Sequence, residues 1–306
     1  MTAVPKVSVG LPVYNGGRYL EEALSSVLAQ THQDLEVVIS DNGSTDYTQS
    51  ICERFAALDN RVRYIRHETN KGAAFNHNFV VTAAKGQYFR WYAYDDRLEP
   101  TCLEKCVRVL DADPTVVLAW PQTIVIDGAG DVVGPYRSDL PWDNATAVSR
   151  LRSLLGRPTE ETLLHMCYPV YGLIRREVML GTGLLGAYNG ADTVLLTELA
   201  LRGRWQQIPE PLFYNRRHAG SSAVDKSPET VAAWFDPARA EVFPMPWSRQ
   251  FEGYVRAVRA APLSARERAA CTSVLAHWFA HDRRWRVIAG ELRIRARQRR
   301  VGVRGS

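Results

Sequence analysis

Asp95 and Asp96 are adjacent in the chain, and two neighbouring carboxylates repel unless a cation or a basic group offsets them. Their hard oxygens suit Mg2+ or Mn2+ that is also held by substrate phosphates. A bare Asp-Asp pair is more commonly a solvated loop, so its chemistry depends on what else reaches the same place. Asp41 closes a predicted strand, where it could accept hydrogen bonds from a base or from ribose hydroxyls. Asp46 is placed to cap the helix that follows. Thiol chemistry is not indicated. The five cysteines, Cys52, Cys102, Cys106, Cys167 and Cys271, are odd in number and scattered, with no histidine at ligand spacing, so neither a disulfide framework nor a zinc site is expected. Cys102 and Cys106, four apart on a predicted helix, are read as small hydrophobes sharing its buried face.

For the carboxylates to act, several loops must converge on them. Over about the first 120 residues strand-like and helix-like stretches alternate, the pattern of a parallel sheet covered on both faces. Strands are expected over residues 7–11, 35–40, 62–65, 87–93 and 116–120. Helices are expected over 18–30, from the 41–46 turn to about 58, over 73–84, and from Pro100 to about 111. Loops 12–15, 41–46, 66–71 and 95–96 then all follow strand C-termini, the rim where open α/β sheets bind ligands. Residues 124–186 are less regular, with a long loop expected around 134–146. From Pro228 onward the pattern is helical. Ser264 and Glu267 are spaced as a capping box, and Val274, Leu275, Trp278, Phe279, Trp285, Ile288 and Leu292 read as one apolar stripe of the last helix.

In order, Val9-Gly10-Leu11-Pro12-Val13-Tyr14-Asn15, Ile39-Ser40-Asp41-Asn42-Gly43-Ser44-Thr45-Asp46, Asn70-Lys71-Gly72 and Tyr94-Asp95-Asp96 resemble the successive signatures of family 2 glycosyltransferases with the GT-A fold. Four motifs in the right order within ~100 residues are specific, whereas any one alone is not. The resemblance implies an α/β fold of GT-A type, a single Rossmann-like, mostly parallel sheet flanked by helices, with a helical C-terminal extension. It also implies an inverting transfer of a sugar from a nucleotide-diphosphate sugar, UDP- or dTDP-linked by preference, to an acceptor hydroxyl, with Mn2+ or Mg2+ as cofactor. The acceptor could be a small molecule, a glycan, or lipid-linked or carrier-bound.

Carried over by motif, Pro12, Tyr14 and Asn15 form the entrance of the nucleotide pocket, Asp41 partners the base, and Asn70 and Lys71 lie near base or ribose. Asp96 is the direct metal ligand, while Asp95 holds the ribose, the sugar or the metal; consecutive aspartates stand where Asp-x-Asp is frequent, a variation also seen in the family. Tyr188-Asn189-Gly190-Ala191-Asp192-Thr193-Val194-Leu195-Leu196 resembles the acceptor-side motif in which a carboxylate opens a helix, with Ala191 where a glutamate is frequent. That makes Asp192 the base, since an inverting transfer needs one base at the acceptor hydroxyl and no enzyme nucleophile. Tyr214-Asn215-Arg216-Arg217-His218-Ala219-Gly220-Ser221 resembles a later loop of the family, which puts His218 on the metal and Arg216 on the diphosphate. The resemblance covers about residues 5–225, so a catalytic domain over 1–225 and a helical extension over 226–306 are expected.

Gly181-Thr182-Gly183-Leu184-Leu185-Gly186 fits the dinucleotide fingerprint letter for letter, but it follows a helical pattern and no second strand–helix–strand unit comes after it. A loop beside the acceptor pocket is the expected structure. The 306 residues are 46% apolar and 23% charged, ample for a folded core, with a net charge of +5. Residues 283–306 hold nine arginines against Glu291, which places +8 in the tail and leaves about −3 on the rest. A nucleic-acid-binding body is thereby removed, and the tail is expected to be solvated, to contact a second copy, or to meet an anionic membrane or carrier. No stretch approaches the ~18 apolar residues of a membrane span, and residues 1–6 lack a signal-peptide core, so a cytoplasmic protein, at most peripheral at a membrane, is expected. Two other readings compete. A nucleotidyltransferase would show a Gly-rich phosphate loop after the first strand, which residues 12–18 match poorly. A non-catalytic nucleotide-sugar-binding scaffold would keep the fold and use the basic tail for nucleic acid or acidic membrane.

Overall fold

β1 (Val7–Val13) is buried along its whole length because both of its faces are covered. Val7, Val9, Leu11 and Val13 enter one apolar layer, while on the opposite face Gly10 lets Phe89 and Val80 approach so closely that a Cβ would lie 2.7 and 2.8 Å from them. The computed structural model describes residues 4–136, 145–155, 168–220, 228–237 and 245–302. After β1 come α1 (Gly17–Leu28), β2 (Leu35–Asp41), α2 (Thr48–Leu58), β3 (Val62–Arg66), α3 (Ala73–Ala83) and β4 (Tyr88–Trp91). β2 runs parallel between β1 and β3, and β4 runs parallel on the other side of β1, so the predicted alternation holds through the first half of the chain. Pairing of Val13 with Asp41, and of Asp41 with Arg66, sets three strand ends side by side.

The second half completes the sheet less regularly. β5 (Arg97–Leu98), α4 (Cys102–Ala112), β6 (Val116–Ile126), β7 (Val132–Tyr136) and α5 (Ala147–Leu155) are followed by a 3-10 turn at Tyr168–Tyr171, β8 (Leu173–Arg175), α6 (Arg176–Leu180), α7 (Ala191–Ala200) and β9 (Arg204–Arg216). Among the described residues the strand order is β3-β2-β1-β4-β8-β6-β9-β5, with β7 hairpinned on β6. β8 is antiparallel to both neighbours, β6 and β9 are parallel, and β5 is antiparallel to β9.

Two expectations need correction. β6 does not end at Trp120: Pro121 removes a ladder donor, but it sits where the β6–β9 register shifts, a position that tolerates proline, and the strand continues to Ile126. The loop expected from residue 134 begins as β7, and residues 137–144 lie outside the described set.

Helices cover both faces. α1, α2 and α4 close one layer with Leu20, Leu24, Ile51, Cys102 and Cys106. α3, α5 and α7 close the other, onto them pack α8 (Pro228–Phe235), α9 (Pro246–Ala260) and α10 (Ala265–Ala280), and α11 (Arg284–Gly302) packs in turn on α9 and α10. Ser264 and Glu267 form the expected capping box at the start of α10. The apolar stripe, however, is divided. A 3-10 turn at His281–Arg283 separates α10 from α11, so Leu275, Trp278 and Ile288 are buried whereas Trp285 and Leu292 are 44% and 43% exposed. Leu195 and Leu199 of α7 share one apolar cluster with Tyr254 and Ala257 of α9, Leu275 and Trp278 of α10 and Ile288 of α11. The core thus continues across the boundary expected at residue 225, which itself falls outside the described residues.

α3 starts at Gly72, whose φ of 87° and ψ of 162° lie in a region open to glycine alone, and where a Cβ would stand 2.3 Å from the Phe235 carbonyl oxygen. Gly72→Ala is expected to lower stability by about 2 kcal/mol or more, read from urea unfolding followed by circular dichroism. An unchanged midpoint would show that the 70–72 loop relaxes freely.

Candidate active site

The rim loops are tied to one another by side-chain amides and hydroxyls. Asn76 of α3 donates to the carbonyls of Val13 and Ser40 at 3.2 and 2.9 Å, which pins the ends of β1 and β2 together. Asn42 donates to Asn70 Oδ1 at 2.8 Å and to the Gly72 carbonyl at 3.1 Å, and accepts from the Lys71 amide at 3.0 Å. Asn15, at a positive φ of 52°, accepts from the Thr45 amide at 2.9 Å while its own amide donates to Ser44 Oγ at 2.9 Å. Asp46 accepts from the amides of Gly17 and Thr48, so it joins the starts of α1 and α2. Pro12 is buried beneath this loop pair, and Tyr14 stands 41% exposed beside it. Lys71 is exposed with its ammonium 4.8 Å over the Phe75 ring. Asp41 is fully buried: Oδ1 accepts from the Ser44 amide and Oδ2 from the Tyr64 hydroxyl, both at 2.8 Å, with Arg66 at 3.6 Å. Expected on the base, it is here the internal anchor of the 41–46 turn.

The Asp95-Asp96 turn follows β4 and meets the end of β9. β5 pairs Arg97 with Tyr214, and this antiparallel contact delivers the next residues of β9 to the turn. Oδ1 of Asp96 accepts from the Arg216 amide at 2.9 Å and from Asn215 Nδ2 at 3.0 Å. Oδ2 of Asp96 is buried and has no hydrogen-bond partner. Burial, and then the charge of Asp95, hold the Asp96 carboxyl well above the usual carboxylate range. Burial also raises Asp95, with His218 opposing it: His218 Nε2 lies 3.0 Å from Asp95 Oδ2. The Arg216 guanidinium, 3% exposed as a residue, donates to the Asp95 carbonyl at 2.8 Å and to Glu22 Oε2 at 2.6 Å, and lies 4.7 Å over Tyr19. Expected on a diphosphate, Arg216 braces the turn in this structure. Similarly, His218 is paired with Asp95 in this structure and makes no hydrogen bond to Asp96 Oδ2. Among the described residues no three His, Cys, Asp or Glu side chains cluster as a metal site. A lone buried carboxylate oxygen still fits a hard divalent cation completed by phosphate oxygens and water.

Asp192 lies in the first turn of α7, two residues after Gly190, which takes a left-handed φ of 82° as the N-cap. It is therefore inside the helix and not at its cap position. α9 holds this segment from behind: Gln250 donates to the Asn189 carbonyl and Arg249 to the Ala187 carbonyl, each at 3.1 Å, and the Tyr254 and Thr193 hydroxyls are 3.0 Å apart. Tyr171, on the 3-10 turn before β8, stacks at a tilt 5.9 Å from the Phe213 ring of β9. Its phenol is raised well above the ordinary range, first by burial and then by the charges of Asp96, Asp95 and Asp192. The fingerprint-like segment at residues 181–186 follows α6 as expected and is stitched to α7 by Gly183, whose amide donates to Glu198 at 2.8 Å.

The profile of Glycosyl transferase family 2 matches residues 8–180. The chain belongs to that family. Glycosyltransferase GlyG of Streptococcus pneumoniae is 38% identical to this chain over 113 residues, 37% of this chain and 38% of that one. A chondroitin synthase of Escherichia coli is 36% identical over 130 residues, covering 42% of this chain and 19% of the relative. The matches thus span less than half the length of these curated relatives. In fold, the family member resembles residues 1–349 of S. aureus TarS in complex with UDP-GlcNAc, with a TM-score of 0.62 at 19% identity over 91% of this chain and 74% of that one. It also resembles the mannosyltransferase PcManGT of Pyrobaculum calidifontis in complex with GDP-Man and Mn2+, with a TM-score of 0.54 at 18% identity over 96% and 76% of the two chains. The GT-A expectation for the fold holds.

Asn215, Glu22 and Tyr19 are not singled out as site residues by the sequence. Asn215 was within reach of sequence reading, since it adjoins Arg216 in a quoted motif. Because Asp96 is raised, the native state retains its proton above the ordinary carboxylate range, and the cost of ionising it grows as pH rises from about 4. In EDTA, the melting temperature of Asp96→Asn relative to the unmodified protein is expected to increase between pH 5 and pH 8. A constant difference across that range would show that Asp96 ionises freely.

Proposed function

We propose that the chain transfers a sugar from a nucleotide-diphosphate sugar to an acceptor hydroxyl with inversion, and the unpartnered buried oxygen of Asp96 carries this reading. Family membership and the UDP-GlcNAc and GDP-Man complexes of its fold neighbours support a nucleotide-sugar donor. Pro12, Tyr14 and Asn15, with the Asp41, Asn70 and Lys71 loops beneath and beside them, form the nucleotide side of the crevice. Asp96 would hold Mn2+ or Mg2+, with His218 and Asp95 adjacent. When bound, that ion would neutralise charge developing on the leaving diphosphate.

The chain's own groups do the rest. The end of β9 and the Arg216–Glu22 pair hold the Asp95-Asp96 turn in place, with one oxygen of Asp96 engaged and the other left for a cation. Asp192, partly exposed at the start of α7, takes the proton of the acceptor hydroxyl as its oxygen bonds to the anomeric carbon and the bond to the diphosphate breaks. A single displacement of this kind inverts the anomeric centre and requires no covalent enzyme intermediate.

Calorimetry with UDP-, dTDP- and GDP-sugars identifies the donor. With that donor, Asp192→Asn is expected to bind as tightly as the unmodified protein while transfer falls by about 10²–10⁴-fold. Loss of donor affinity in step with transfer would make Asp192 a structural residue of α7.

A further inference from the structure

The arginine-rich segment is helical over Arg284–Gly302, and its outer face has a chemistry of its own. Arg283, at a positive φ of 56°, closes the turn that ends α10 and redirects the chain into α11. One side of α11 is docked. Ile288 enters the shared core, Arg284 lies 4.7 Å over Trp278, and buried Glu291 accepts from the amides of Trp247 and Ser248 at 3.3 and 2.7 Å. Arg295 pairs with Glu252 at 3.1 Å on the same side. Opposite, Arg286, Arg293 and Arg297 follow one another at spacings of seven and four residues, a single ridge along the helix. All three are exposed and none has an ion pair with a described residue. Trp285 and Leu292 flank the ridge on one side and Val287, 49% exposed, on the other. The one acid of the helix, Glu291, is on the docked side, so among the described residues no acid of α11 offsets the guanidiniums of the outer face. Arg299, Arg300 and Arg304 continue the run in sequence.

A surface that is at once polycationic and apolar matches anionic lipid, where guanidiniums meet phosphates and Trp, Leu and Val enter the boundary between headgroups and acyl chains. Nucleic acid would use the ridge but leave Val287 and Leu292 in water. A second copy of the same face would set arginine against arginine. We propose that α11 docks the protein on an anionic membrane surface through this face. The docking goes beyond the sugar-transfer reading and does not depend on it, since lipid binding is measured without donor or acceptor.

The test titrates the full chain with vesicles of phosphatidylglycerol and phosphatidylcholine, or of phosphatidylcholine alone, and measures bound protein by co-sedimentation. Binding to the anionic vesicles only, weakened by salt, is expected. Arg286→Glu/Arg293→Glu/Arg297→Glu should weaken it by about a hundredfold or more. Trp285→Ser/Leu292→Ser, which leaves the charge unchanged, should weaken it by about tenfold, and Arg108→Glu at an exposed position of α4 should leave it intact. If the triple variant fails to fold, the Trp285/Leu292 pair decides. Equal binding to neutral vesicles, no binding to anionic ones, or full binding by both outer-face variants would overturn the proposal. So would tighter binding to duplex DNA than to vesicles, or a dimer in sedimentation velocity that the triple variant abolishes.

Discussion

Two adjacent carboxylates are held inside the protein at the Asp95-Asp96 turn, and the end of β9 makes that arrangement tolerable. An isolated ionised carboxylate in such a place is costly unless hydrogen bonds and opposite charge surround it. The Arg216 amide and Asn215 supply the hydrogen bonds to one oxygen of Asp96, His218 faces Asp95, and the Arg216 guanidinium bridges the Asp95 carbonyl to Glu22 on α1. The other oxygen of Asp96 is left without a partner. Much of the topology serves this point. β5 exists as two residues that pair with β9, and β9 reaches the rim because it runs parallel to β6 along nearly its whole length.

The same logic extends to the acceptor side. α7 carries Asp192, but the turn before it is held by α9, which comes from the C-terminal helices. Those helices share an apolar cluster with α5 and α7 and so belong to the body that forms the site. The proposed division of labour, leaving group at Asp96 and base at Asp192, therefore rests on elements from both ends of the chain.

Much of this was legible in the sequence where the determinants are local. Strand–helix alternation and turn residues placed the loops at 12–15, 41–46, 66–71 and 95–96 on one rim, and the parallel registers of β1 to β4 agree. Contacts between distant residues were not legible. Asn215 is 119 residues from Asp96 and Glu22 is 194 from Arg216, and no periodicity relates them. Two-residue β5 is too short to show a pattern, and Pro121 reads as a strand end although a register shift accommodates it. The last apolar stripe misled for a similar reason. Trp285 and Leu292 keep the spacing of Trp278, yet the turn at His281–Arg283 rotates them out of the core and onto the surface of α11.

The central claim, that the free oxygen of Asp96 is where a divalent cation joins the donor's phosphates, is tested most directly by titrating Mn2+ into the protein with UDP present and following the resonance of the free ion by electron paramagnetic resonance. The account predicts stoichiometric Mn2+ binding that UDP tightens and that Asp96→Asn weakens by at least about a hundredfold. Unchanged Mn2+ affinity in Asp96→Asn would contradict it and move the cation, and with it the leaving group, to another part of the rim.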